Sequence, residues 1–188
     1  PFFPFWKEKK PKEYVFTPRD EAAEYVKVGL QKMKHQPDYK AAITNFTYAI
    51  DIEKNYMEAY YYRGISKLEI KDYKSAMDDF TKAIKLLPEN PKAFNNRGYA
   101  YAELGMFQEA LKDFSKAIEM KVDYALAYNN RGNTYSDLQD YQKAIEDYDQ
   151  ALTYDKKANA HVYYNNRGNA KAFLKQYHEA IADYNEAI

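Results

Sequence analysis

From Tyr73 onward the chain repeats one arrangement of bulky and small residues. Tyr73, Ala76, Phe80 and Ala83 are followed by Phe107, Ala110, Phe114 and Ala117, then by Tyr141, Ala144, Tyr148 and Ala151, then by Tyr177, Ala180, Tyr184 and Ala187. Spacings of three, four and three residues put all four members on one face of a helix. Alternating bulk lets the small residue of one helix receive the ring of its neighbour, so these rings are read as core. Each such segment follows a second recurring stretch. Ala93-Phe94-Asn95-Asn96-Arg97-Gly98 returns as Ala127-Tyr128-Asn129-Asn130-Arg131-Gly132 and as Tyr163-Tyr164-Asn165-Asn166-Arg167-Gly168, and an earlier version reads Ala59-Tyr60-Tyr61-Tyr62-Arg63-Gly64. Gly64, Gly98 and Gly132 are 34 residues apart, with Gly168 two residues beyond the same step. A fixed period in this range indicates stacked repeats, each burying its apolar face against the next.

The pattern predicts helices over 20–34 and 38–53, 56–70 and 72–86, 90–104 and 106–120, 124–138 and 140–154, and 160–174 and 177–188. Turn chemistry separates them: Gln36-Pro37-Asp38, Lys71-Asp72, Pro88-Glu89-Asn90-Pro91, Leu104-Gly105 and Gln139-Asp140. Thr17-Pro18-Arg19-Asp20 reads as a helix start, with Thr17 at the N-cap, Pro18 at the first helical position and Asp20 two residues on. Residues 1–16, Pro-Phe-Phe-Pro-Phe-Trp and a Lys/Glu-rich run, carry three prolines and no helical period, and are read as an extended arm. Its aromatics are expected to cap the first helix pair; insertion into another subunit and the stub of a processed anchor are the alternatives. The chain opens at Pro1 and stops at Ile188 inside a helical pattern, so it is read as a piece of something longer.

The recurring positions resemble the tetratricopeptide repeat (TPR) family. That family wants a large aromatic before a small residue on the first helix, then alternating aromatic and small residues on the second. The third repeat supplies Phe94, Gly98, Phe107, Ala110, Phe114 and Ala117, and the first supplies Tyr25, Gly29, Tyr39, Ala42, Phe46 and Ala49 with one extra residue in its turn. The resemblance spans about 21–188. It implies an all-α fold: a right-handed α-solenoid of five antiparallel helix pairs over 17–188, with repeats at about 21–54, 57–90, 91–124, 125–160 and 161–188, the last truncated or uncapped. It also implies a concave groove, lined by the first helices, that takes peptide segments of other proteins. Carried onto this chain, the groove positions are Tyr61, Tyr62, Ile65, Asn95, Asn96, Tyr99, Asn129, Asn130, Asn133, Asn165, Asn166 and Asn169. The wall would change from aromatic and aliphatic to an asparagine ladder, similar to the asparagine-ladder type of superhelical TPR domain. A primary amide donates and accepts together, so it suits a peptide backbone. Each such bond nets only about 0.5–1.5 kcal/mol, so Tyr61, Tyr62, Ile65 and Tyr99 are expected to anchor the ligand. Hydrogen bonding of the asparagines between neighbouring helices is the competing expectation.

Arginine is scarce, yet Arg63, Arg97, Arg131 and Arg167 each stand directly before a repeat glycine. Asp79, Asp113, Asp147 and Asp183 stand sixteen residues after them. The two positions are equally far from the turn between the helices, so antiparallel pairing brings them level. An Arg–Asp bridge is expected inside repeats two to five, since a planar fork suits a carboxylate. The first repeat has Val28 and Asn45 instead, losing both members together.

Composition narrows the function classes. Lys plus Arg and Asp plus Glu both total 28, so no basic field draws nucleic acid or an anionic membrane. No apolar run approaches the ~20 residues of a membrane span. There is no cysteine, and His35, His161 and His178 lack metal-type spacing. The glycines are whole repeats apart, which leaves no phosphate loop. No catalytic residue, cofactor or metal ligand is assigned. The expected function is a non-catalytic scaffold for an extended segment of a partner protein. The alternatives are self-assembly of copies into a homo-oligomer or filament, and the regulatory part of a larger enzyme. The compartment stays open.

Overall fold

The computed structural model describes residues 17–188, so the arm expected over 1–16 lies outside the described residues. Ten α-helices and no strand make up that region: α1 (Pro18–Lys32), α2 (Tyr39–Ile52), α3 (Met57–Glu69), α4 (Tyr73–Leu86), α5 (Pro91–Glu103), α6 (Phe107–Met120), α7 (Ala125–Asp137), α8 (Tyr141–Tyr154), α9 (Ala160–Phe173) and α10 (Tyr177–Glu186). Local chemistry sets their ends. Thr17 and Asp20 form a reciprocal capping box, with the Asp20 carboxylate accepting from the Thr17 N–H at 2.9 Å. Asp38, Asp72 and Asp140 cap α2, α4 and α8, and Asn90 caps α5 ahead of Pro91. The turns inside the pairs place His35, Lys71, Gln139 and Lys175 in the left-handed region, at φ of 56°, 62°, 61° and 63°. Only the third repeat puts a glycine there, Gly105 at φ 73°. In four of these turns the following N–H closes back on a carbonyl of the last helical turn, as Asp72 does on Lys67 at 2.9 Å and Asp140 on Tyr135 at 2.8 Å.

Each helix packs on the one before and the one after it. The odd-numbered helices also touch one another in succession, whereas the even-numbered ones do not. The stack is therefore shorter along its odd side, which forms the inside of a curved solenoid.

The core is a series of seams. Ala42, Ala76, Ala110 and Ala144 are fully buried, as are Ala49, Ala83, Ala117 and Ala151 two turns further along the same faces. Between them Phe46, Phe80 and Phe114 are fully buried and Tyr148 nearly so. Each of these rings lies against the repeat glycine of its own pair. A Cβ built on Gly64, Gly98, Gly132 or Gly168 would sit 2.7–2.9 Å from the ring of Phe80, Phe114, Tyr148 or Tyr184. The absent side chain thus lets the two helices of a pair close to ring thickness. Replacing Gly98 by alanine should destabilise the protein by about 1–3 kcal/mol, because a buried ring has nowhere to move. The gain in helix propensity, about 1 kcal/mol, offsets part of this. Thermal unfolding followed by circular dichroism measures the balance, and an unchanged or raised melting temperature would contradict the seam.

Candidate functional site

The four arginines stand where three helices meet. Arg97 Nε donates to Asp113 Oδ2 at 2.6 Å and Nη2 to Oδ1 at 2.8 Å. Arg63 grips Asp79 the same way at 2.9 and 2.7 Å, and Arg131 grips Asp147 at 2.8 and 2.7 Å. Arg167 holds both oxygens of Asp183. The third nitrogen of each fork reaches back to the preceding pair: Arg63 to Thr47 (3.0 Å), Arg97 to Thr81 (3.2 Å), Arg131 to Ser115 (3.0 Å) and Arg167 to Asp149. Each guanidinium also lies over the aromatic ring three residues before it, Tyr60, Phe94, Tyr128 or Tyr164, at 5.3–5.6 Å from the ring centre. Lys67 and Lys171 add a second cation to Asp79 and Asp183, each at 2.7 Å. Burial pushes the Asp147 carboxyl above its ordinary value in spite of Arg131. Burial acts the same way on Asp183, but Arg167 and Lys171 together outweigh it and hold that carboxyl below its ordinary range.

The asparagines divide into those spent on packing and those left open. Asn95 and Asn129 are only 1% and 5% exposed, so they do not line the groove as expected. Their side-chain oxygens accept from the next repeat instead: Asn130 donates to Asn95 at 3.1 Å and Asn166 to Asn129 at 3.0 Å. The physical reason is helix stacking. The residue three before each glycine faces the following odd helix, and a buried amide must find a partner there. Asn96 occupies the same step one repeat earlier and reaches the Tyr61 hydroxyl at 3.4 Å. Asn165 is exposed and faces a hollow with His161, Val162, Tyr184 and Ile188. Asn133 and Asn169 are exposed, and their oxygens accept from the hydroxyls of Tyr148 (2.8 Å) and Tyr184 (2.9 Å).

Two hollows open mainly among residues of the odd helices, the second with Phe114 and Tyr148 of α6 and α8 at its floor. One, of about 460 Å³, is lined by Tyr61, Tyr62 and Ile65 together with Met57 and Lys92. The other, of about 450 Å³, spans repeats three to five and collects Tyr99, Asn130, Asn133, Asn166 and Asn169 with Ala102, Glu103, Asp137 and Phe173. The expected single wall is thus two hollows, with Tyr61 and Tyr99 in different ones. Burial, aided by Tyr124 and Tyr62, pushes the Tyr61 phenol up to about 12. Burial and the nearby charge of Glu103 push Tyr99 up to about 12 as well, so both are neutral donors at neutral pH. Among the described residues, no three His, Cys, Asp or Glu come together as metal ligands, and no helix is long and apolar enough to cross a membrane.

Sequence profiles described as Tetratricopeptide repeat match residues 91–124, 125–157 and 161–188, and one described as TPR repeat matches 66–105. The chain belongs to the tetratricopeptide repeat family. Among solved structures this TPR chain is similar to MamA of Desulfovibrio magneticus RS-1, at 21% identity over 89% of this chain and 93% of that one, with a TM-score of 0.79. It is similar also to YrrB, described as a TPR protein with an unusual peptide-binding site, at 20% identity over 89% and 84%, with a TM-score of 0.70. PilF of Pseudomonas aeruginosa aligns at 18% identity over 90% and 76%, with a TM-score of 0.78. At these identities the likeness is one of fold. No curated protein sequence matches the chain significantly.

Two features of these TPR repeats carry a sequence signal that the pattern reading passed over. Residues sixteen before Arg63, Arg97 and Arg131 are Thr47, Thr81 and Ser115, all hydroxyl acceptors for the third arginine nitrogen. The seam ring is phenylalanine in the first three repeats, where Leu30, Ile65 and Tyr99 follow the glycine, and tyrosine in the last two, where Asn133 and Asn169 do. The change to tyrosine and the change to asparagine occur together, and each tyrosine hydroxyl donates to the asparagine of its own repeat, an acceptor that the buried Tyr148 needs.

The double-mutant cycle of Arg97→Ala and Asp113→Ala should give a coupling energy of about 1.5 kcal/mol or more, as for hydrogen bonds between charged groups. Arg97→Ala alone should cost about 3–5 kcal/mol, since it strands a buried carboxylate. Coupling near zero, read from urea unfolding, would remove the bridge from the account. For Asp183, a folded-state pKa below the unfolded value, about 3.9, means that its stabilising effect is complete above that pH. It is lost as pH falls through the depressed value. Amide protection of α9 and α10 should therefore survive into mild acid and fail at a higher pH in Lys171→Met, as hydrogen exchange across an acid series would show.

Proposed function

We propose that the protein is a non-catalytic interaction scaffold that holds an extended segment of a partner protein in the hollow on the inside of repeats three to five. The observation that carries this is the composition of that hollow: the exposed amides of Asn133 and Asn169 stand beside Tyr99 and Phe173 in a space of about 450 Å³. The oxygens of both amides are taken by Tyr148 and Tyr184, so what they offer a ligand is their N–H₂ donors. Donors aimed from successive repeats suit the carbonyls of an extended backbone. Phe173, 67% exposed and stacked on Tyr141 at 4.7 Å between ring centres, supplies an ordered apolar shelf. A cleft of this size, with aromatic walls and a few polar groups, is the usual form of a binding site.

This reading leaves Asn95 and Asn129 to the scaffold and Asn96 to the joint with Tyr61. Recognition falls to Tyr99, Asn133, Asn169 and Phe173, with Tyr61, Tyr62 and Ile65 available to a longer ligand in the second hollow. Selection from a displayed random dodecapeptide library should yield peptides of about micromolar Kd, equivalent to roughly 8 kcal/mol. Ala102→Trp, which fills the hollow without removing a hydrogen bond, should weaken them about tenfold or more at an unchanged melting temperature. Selected peptides that bind this variant as well as the parent would place binding elsewhere.

A further inference from the structure

Resting on that reading, we infer that the segment taken by the hollow is basic, presenting a lysine or arginine to Glu103 and Asp137. Both carboxylates line the hollow, on the last turn of α5 and of α7, and no Lys or Arg lines it with them. Their treatment differs from that of the carboxylates between the helices. Asp79, Asp113, Asp147 and Asp183 each have an arginine, and two of them a lysine as well. Among the described residues, no ion pair reaches Glu103 or Asp137. The charge of Glu103 adds to burial in pushing the Asp137 carboxyl above its ordinary value, so the two acids repel across the hollow. Glu69, at the same helix position one repeat earlier, extends the field to Tyr99.

Glu103 stands near Tyr73 and Tyr99, whose rings meet edge to face at 6.4 Å. Neither phenol is a cation that could pair with a carboxylate. The net charge of the chain is zero, so this is a local field and not a property of the whole surface. An acidic segment would meet like charge, and a neutral one would leave both carboxylates partly desolvated and unpaired. A basic side chain removes both penalties. Its methylenes or guanidinium plane can lie on Tyr99 or Phe173, which are 37% and 67% exposed.

The test uses the same dodecapeptide library and the folded chain. Peptides selected on the parent should be enriched in lysine or arginine at a recurring place. Changing that residue to glutamine should weaken binding about tenfold, as for a partly desolvated charge pair. The same change should make no difference on Glu103→Gln/Asp137→Asn, whose substituted side chains are exposed and leave the melting temperature in place. Glu103→Lys/Asp137→Lys should select acidic peptides instead. Binders that Ala102→Trp abolishes but that show no basic preference would overturn this inference and leave the groove reading standing. A basic preference that persists in Glu103→Gln/Asp137→Asn would overturn it also. Absence of any binder would overturn both.

Discussion

The arginine before the glycine of repeats two to five is the point on which the architecture turns. One guanidinium closes its own helix pair through a bidentate aspartate and ties that pair to the previous one through a hydroxyl or carboxylate. It does so while lying on an aromatic ring, so the charge is enclosed by an acid, an acceptor and a π face. A lysine could not serve all three, having no planar fork. A buried charge in this setting adds little stability over a well-packed apolar group, but it strongly penalises any arrangement in which its partners are missing. Each of these arginines thereby links one TPR pair to the one before it.

The fold was legible almost to the residue. Helix starts predicted at 20, 38 and 56 lie within two residues of those observed, because Thr17, Asp38 and the turn before Met57 are local signals read over three or four positions. The antiparallel levelling of Arg97 and Asp113 was likewise accessible from sequence, since it depends only on distance from one turn. The site was less so. Asn95 and Asn96 are adjacent on one helix, and which of them is buried depends on how the next repeat is rotated against it. That rotation is set by side chains 35 residues away, such as Asn130. Asn133 had a partner in its own repeat, the Tyr148 hydroxyl, and comparing the repeats at the seam ring would have exposed it.

What remains after packing has taken its share is the capacity a ligand could use. Among the described residues every buried side-chain nitrogen and oxygen has a partner, so the scaffold makes no unmet demand inside. The open capacity lies on the inner face, in two amides, two carboxylates and two aromatic rings of repeats three to five. The two carboxylates take no part in an ion pair of the stack, whereas the two amides serve both surfaces, since their oxygens accept from the Tyr148 and Tyr184 hydroxyls.

The contact of odd helices with one another, and the lack of it among even helices, has a mechanical side. Pairs joined only to their neighbours bear a load in series, so a pull along the stack reaches every joint with equal force and the extension is shared out among them. Bending is different: the inner row acts as a fulcrum and the outer ends swing apart. A tightening of the curve would narrow the spacing of Glu103 and Asp137 against their mutual repulsion. Such closure would work against that repulsion, and a cation placed between the two acids would remove the opposition.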